Sequence, residues 1–284
     1  MAIKNLSLFL LLFFAMLLVQ AQEFANKDLQ SLVDAERAFS RMAKDKNTRE
    51  AFLANLIDES ISFSPGITNA KPFWEKLPIT NDWLYWQPVY ADIAASGDFG
   101  YTTGPWSYRK TKTTAPTTFG EYITVWRKKA DGKWKVLIDA GISHDSYDVD
   151  GHAVHTSALA LQPRKYSGQN FKDELTAVEE AFIKEVPGDV LKAYTHHASK
   201  EIKLYRQNKF PSSAVEEVCK TSDVITFTPE KTIVASSGDM GYTYGIVNIV
   251  KHDTAGMQKT NNANYLRIWK KESGIWKIVI DLIT

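Results

Sequence analysis

The chain has 284 residues, with 34 basic and 33 acidic side chains, 44% hydrophobic and 12% aromatic content, and eight tryptophans. That near-neutral balance, with no basic stripe, excludes the electrostatic footprint of a nucleic-acid binder. A single cysteine, Cys219, excludes an intramolecular disulfide, so stability must come from burial, and the length suits two domains of ordinary size.

Taken in chain order, the first segment reads as a leader. Lys4 precedes an apolar run from Leu6 to Val19, and Val19-Gln20-Ala21 offers small residues to a signal peptidase. Residues 1–21 are therefore expected to be a cleaved signal peptide, and the protein to be secreted or periplasmic. The run is shorter than the roughly 20 apolar residues of a membrane span, and no later stretch is long enough, so no span is expected after cleavage. Losing Lys4 leaves 33 basic and 33 acidic side chains.

A helix follows, with Leu29, Leu32, Glu36, Phe39 and Ala43 at three- and four-residue steps. A second helix is expected near Thr48 to Leu56 and a short strand over Ser60 to Ser64. An irregular aromatic segment from Trp74 to Trp86 comes next. Ser96-Gly97-Asp98 is a tight turn between extended runs, and Asp131-Gly132 joins the last two strands as a hairpin. The stretch from His144 to Gln169, rich in Asp, His, Ser and Gly, reads as a linker with a turn of helix within Ala153 to Leu161.

The same order then recurs. Ser96-Gly97-Asp98-Phe99-Gly100-Tyr101-Thr102-Thr103-Gly104 returns as Ser237-Gly238-Asp239-Met240-Gly241-Tyr242-Thr243-Tyr244-Gly245. The hairpin from Trp126 to Asp139 returns from Trp269 to Asp281, and Ala35-Glu36-Arg37-Ala38-Phe39 returns as Val178-Glu179-Glu180-Ala181-Phe182. Three blocks in one order at nearly constant separation read as a tandem duplication. The expected layout is a first domain over 22–146, a linker over 147–169 and a second domain over 170–284. Each is α+β, with helices covering one face of a curled, mainly antiparallel sheet.

Both copies resemble the nuclear-transport-factor-2-like superfamily, also called SnoaL-like or ketosteroid-isomerase-like, and its uncharacterised bacterial branch in particular. The carrying residues are the run at 96–104 and the Tyr122 to Asp139 hairpin with its two tryptophans. The resemblance implies two tandem cone-shaped half-barrels, each with a cavity between sheet and helices. It also implies an intramolecular pseudo-dimer of the two copies. It is nearly silent on chemistry, because such domains serve as enzymes, binding modules and dimerisation units. Copy two lacks the Trp74 to Trp86 segment, so a smaller or closed pocket is expected there.

The resemblance also implies an Asp or Tyr in the cavity, moving a proton on a carbonyl compound; Asp139 and Tyr101 are the catalytic candidates. Period-two alternation places Asp139 on the face of Leu137 and Lys135, at the rim or outside, as a structural or solvated strand end unless a bulge re-aims it. Trp74, Trp83, Trp86, Trp106 and Tyr122 are the candidate ligand-binding residues, and the segment 81–86 is expected to edge the first cavity. His144, Asp145, Asp148, Asp150, His152 and His155 match no metal-loop spacing, so no metal is expected. Gly97, Gly100 and Gly104 do not precede a helix, which argues against a dinucleotide site, and no cofactor is expected. Basic runs at Arg127-Lys128-Lys129 and Lys270-Lys271 read as solvated hairpin ends. The function expected is binding of a small, partly apolar molecule in the first cavity. The alternatives are a proton-transferring isomerase, cyclase or hydrolase and a non-catalytic scaffold.

Overall fold

Asn26 starts the first helix by accepting hydrogen bonds from Asp28 N and Leu29 N at 3.0 and 3.1 Å. The computed structural model describes residues 24–284 apart from 64–65, 147, 162–163, 169, 220 and 253–257, so the expected signal peptide lies outside the described residues. Helix α1 (Lys27–Asp45) buries Leu29, Leu32, Val33, Phe39 and Ala43 along one stripe, with Glu36 among them. Asn47 caps α2 (Thr48–Asn55) through Glu50 N at 2.8 Å, and Asn69 caps α3 (Ala70–Lys76).

The first sheet contains β1 (Leu56–Ser62), β2 (Thr68–Asn69), β3 (Trp83–Trp86), β4 (Tyr90–Ile93), β5 (Phe99–Arg109), β6 (Thr118–Lys128) and β7 (Trp134–His144). Its order is β2-β1-β7-β6-β5-β3, with β4 also on β5. A short helix, α4 (Ala158–Leu161), precedes the second half. There, α5 (Phe171–Glu185) and α6 (Val190–His197) lead into β8 (Ala198–Arg206), and α7 (Val215–Cys219) follows. The strands β9 (Val224–Val234), β10 (Met240–His252), β11 (Gln258–Glu272) and β12 (Ile275–Ile283) complete a sheet of order β8-β12-β11-β10-β9. In both halves the first strand runs parallel to the last, and the other pairings between the named strands are antiparallel among the described residues. No helix among the described residues is long and apolar enough to cross a membrane.

Matched turns explain the matched meanders. Gly97 and Gly238 sit at φ +74° and +69°, a conformation that side chains with a Cβ resist. Three apolar clusters result. One lies between helices and sheet in the first half, built around Phe39, Trp86 and Trp126. A second does the same in the second half around Phe182 and Trp269. The third joins the sheet faces turned away from the helices, with Tyr101, Ile123 and Ile138 against Tyr242, Leu266 and Ile280.

Polar groups tie the same seam. Ser96 N donates to Ser237 Oγ and Ala95 N to Asp239 Oδ2, both at 3.0 Å. Lys270 is buried on Asp92, so the reading of Lys270-Lys271 as a solvated end is overturned. Lys271 is also buried; it pairs with Glu174 at 2.9 Å and lies over the rings of Tyr166, Phe171 and Trp276. The strands continue past the point where turn residues alone suggest an exposed end, and the other half covers Lys270. The stretch read as a linker also packs on the first half: Val154 and Ala160 join its core, and His155 bridges to Tyr90.

Candidate functional site

In the first half, helices and sheet enclose a cavity of about 500 Å³, within the usual size range of small-molecule pockets. Phe52 of α2 and Trp74 of α3 stack in its wall, with ring centroids 4.1 Å apart and planes at 16°. Strand β3 contributes Leu84 and Trp86, β5 and β6 contribute Trp106 and Tyr122, and β7 contributes Asp139 through Ser143. Trp106 packs tightly onto the sheet because Gly120 lies beside it; a Cβ there would meet the indole carbons at 2.6 Å. Gln207 and Thr284 of the second half also line the cavity.

Asp139 reaches this space through a bulge, which corrects the simple alternation. Val125 pairs with Ile138 but Trp126 pairs with Val136, leaving Leu137 as an extra residue. Leu137 and Ile138 therefore both enter the cluster between the sheets, and Asp139 is carried to the helix side with Val136. Its cross-strand neighbour Thr124 donates to it at 2.7 Å. Burial pushes the Asp139 carboxyl up to about 7; the Thr124 hydrogen bond opposes that rise and the Glu36 charge adds to it.

Two further polar groups meet the cavity. The Tyr122 hydroxyl is buried without a hydrogen-bond partner of good geometry. Burial, with the charges of Glu36, Glu121 and Asp139, lifts its pKa well above the ordinary phenol value. Ser62 Oγ in the wall is likewise buried and unpartnered. Such a set can hold the polar end of a ligand whose body lies on aromatic walls.

Sequence reasoning did not assign Glu36 to the site. It is fully buried behind Trp86 and accepts from Trp86 Nε1 at 2.6 Å, from Trp126 Nε1 at 3.0 Å and from Thr102. Burial raises its pKa against the pull of those three hydrogen bonds. The signal was present: a glutamate within an apolar helical stripe, repeated as Glu179.

Five of the seven candidates, Trp74, Trp86, Trp106, Tyr122 and Asp139, line this one cavity. Tyr101 does not. It lies on the opposite sheet face, stacked on Tyr90 at 6.1 Å inside the cluster between the halves, because Thr102 takes the inward position on β5. Trp83 is also outside; strand alternation turns it and Tyr85 away from Leu84 and Trp86. Trp83 stacks on Tyr85 at 5.2 Å, with Arg109 4.5 Å from its ring centroid.

In the second half, the place of Thr124 is taken by Arg267, which is fully buried in the corresponding space. Arg267 Nε donates to Asp281 at 2.7 Å and Nη1 donates to Glu179. Arg206 also pairs with Asp281, at 2.6 Å. Burial alone would raise the Asp281 carboxyl, but the two guanidinium groups hold it below the usual carboxylate range.

No family model matches the chain, and no curated protein matches it. Solved structures that resemble it include a ketosteroid isomerase-like protein from Erwinia carotovora atroseptica, at 11% identity and TM-score 0.37, covering 41% of this chain and 96% of that one. A nuclear-transport-factor-2-like protein from Cytophaga hutchinsonii, at 15% identity and TM-score 0.33, covers 41% and 98%. The association domain of C. elegans CaMKII, at 14% identity and TM-score 0.32, covers 40% and 94%. In both halves the first strand is seated parallel on the last and helices close one face of a mainly antiparallel sheet, an α+β arrangement.

Proposed function

We propose that the first half binds a small, largely apolar molecule in its aromatic cavity, with one polar end at Asp139, Tyr122 and Ser62. The observation that carries this reading is the gathering of Trp74, Trp86, Trp106 and Tyr122 around one partly buried carboxyl in a cavity of about 500 Å³. The two halves act as an intramolecular pair, the second supplying Gln207 and Thr284 to the cavity. The apolar leader and its small-residue cleavage point support secretion or a periplasmic location.

The test is titration with neutral aromatic probes such as indole and 2-naphthol, followed by tryptophan fluorescence. Binding should weaken in Trp74→Ala and Trp106→Ala and persist in Trp83→Ala, which alters the opposite face. Equal loss in all three variants, or no binding to the parent protein, ends the proposal.

A second reading is favoured by the Asp139 pKa of about 7, which suits proton transfer at neutral pH. With the Tyr122 hydroxyl nearby, the pair would act on a bound carbonyl compound. Hydrogen exchange next to the carbonyl of a bound ketone such as 2-tetralone measures this. Exchange that is not accelerated, or that is unchanged in Asp139→Asn, removes the catalytic reading and leaves binding intact.

A further inference from the structure

The second half carries its own occupant. The Arg267 guanidinium carbon lies 4.4 Å from the ring centroid of Phe182, 4.0 Å from that of Phe227 and 4.3 Å from that of Tyr265. Two carboxylates, Glu179 and Asp281, hold its nitrogens. A guanidinium among rings and carboxylates is the stable arrangement for charge removed from water, because each buried carboxylate needs a partner and aromatic faces attract cations.

The carboxylates and rings around Arg267 all have counterparts in the first half. Glu179 and Phe182 correspond to Glu36 and Phe39 in the repeated helix, and Tyr265 and Asp281 to Tyr122 and Asp139 in the repeated hairpin. Phe227 pairs with Val247, two residues past Gly245; Trp86 pairs with Trp106, two residues past the matching Gly104. The cation is the difference. Thr124 stands in the place of Arg267, and among the described residues no Lys or Arg lines the first cavity.

One of the two roles of Arg267 is covered by another group: the Trp86 indole N–H donates to Glu36, as Arg267 Nη1 does to Glu179. The other role, at Asp139, is open to a ligand. Asp139 accepts from the neutral Thr124 of β6. The titratable groups that act on it or share its wall, Glu36 of α1 and Tyr122 of β6, are both acids. Ser62 of β1 adds a hydroxyl.

We propose that the first cavity takes an organic cation, an amidinium, guanidinium or protonated amine on an apolar or aromatic body, whose charged end pairs with Asp139 beside Trp86 and Tyr122. This rests on the reading of that cavity as a ligand site. The ligand then supplies from outside the charge that the second half supplies from its own chain.

Benzamidine, benzamide and benzoate share one shape and differ in charge, so they isolate the claim; 2-naphthol reports on the cavity itself. Titrations run at about pH 8.5 and about pH 5.5, on either side of the Asp139 value of about 7. At the higher pH benzamidine should bind at least about tenfold tighter than benzamide, with benzoate weaker than both. The advantage should shrink at the lower pH, where Asp139 is protonated, and vanish in Asp139→Asn while 2-naphthol still binds. Thr124→Arg, which installs the cation within the chain, should abolish benzamidine binding. Benzamide or benzoate matching benzamidine at the higher pH overturns the proposal, as does an advantage that survives in Asp139→Asn. Binding of 2-naphthol with no gain for the amidinium overturns it while leaving the cavity reading in place. Failure of all four probes removes both.

Discussion

The two halves solve one electrostatic problem in opposite ways. Each buries a helix glutamate on an inward tryptophan, Glu36 on Trp126 and Glu179 on Trp269, and turns a strand-end aspartate to the same side of the sheet, Asp139 half-buried at the cavity and Asp281 fully buried. The second half neutralises its acids with Arg267 and Arg206 and fills the space. The first places Thr124 there, keeps a cavity, and leaves Asp139 with a raised pKa. The difference teaches that a shared frame becomes a filled core or a pocket according to the cations placed in it, because buried charge demands a partner wherever it comes from.

The sharpest way to break this contrast is Arg267→Ala. It strands Glu179 and Asp281 without their shared cation and should cost about 3–5 kcal/mol in urea unfolding. A loss below about 1 kcal/mol, within the range of an exposed pair, would mean that the network does not hold the second half together.

Next in size is the pH response of the two aspartates. The folded value of Asp139, about 7, lies above its ordinary 3.8, so between those values the folded chain keeps a proton that the unfolded chain has released. The stability it confers is complete below the ordinary value, declines as pH rises toward 7, and is flat beyond. Asp139→Asn should lack this decline, so the gap between parent and variant should grow across that window, on the order of 2–4 kcal/mol in favour of the variant. Asp281, whose pKa is lowered, works the other way: its stabilisation is present above the ordinary aspartate value and is lost as pH falls through its folded value. Melting temperatures of Asp139→Asn and the parent chain from acid to neutral pH test the sign; parallel curves would refute the assignment for Asp139.

Smaller still is Trp86→Phe. It removes the N–H that donates to Glu36 Oε1 while keeping a ring, and should cost about 1–3 kcal/mol. Thr124→Ala removes one hydroxyl hydrogen bond to Asp139 and should cost only about 0.5–1.5 kcal/mol. If Thr124→Ala proves as damaging as Arg267→Ala in matched denaturation curves, the two positions are not the divergent pair described above.

Much of the site could be read before the fold was known. The aromatic load of the first copy pointed to Trp74, Trp86, Trp106 and Tyr122; Asp139 was a candidate through the resemblance, while simple alternation set it at the rim or outside, and all five line the cavity wall. Trp83 was misplaced because richness in tryptophan does not say which face of a strand each ring takes, and β3 alternates. Tyr101 was misplaced for a related reason: an inward Thr102 makes its neighbour outward, and only the contacts of Thr102 with Glu36 and Trp126 reveal which is which. Lys270 looked like a solvated hairpin end because nothing local announces that Asp92 lies across the seam.

The repeated blocks, the helical stripe with its glutamate and the glycine turns by themselves determined two α+β copies in tandem, because periodicity and turn stereochemistry are local properties of the chain. They also contain the Thr124 and Arg267 difference in plain view. Only the tertiary structure decided what that difference does. One extra residue at Leu137 turns Asp139 inward, the sheets meet on their other faces, and a space lined by distant elements closes around an arginine in one half and stays open in the other. Register and burial depend on residues far apart in sequence, and they set whether a carboxylate meets a cation, a hydroxyl or a cavity.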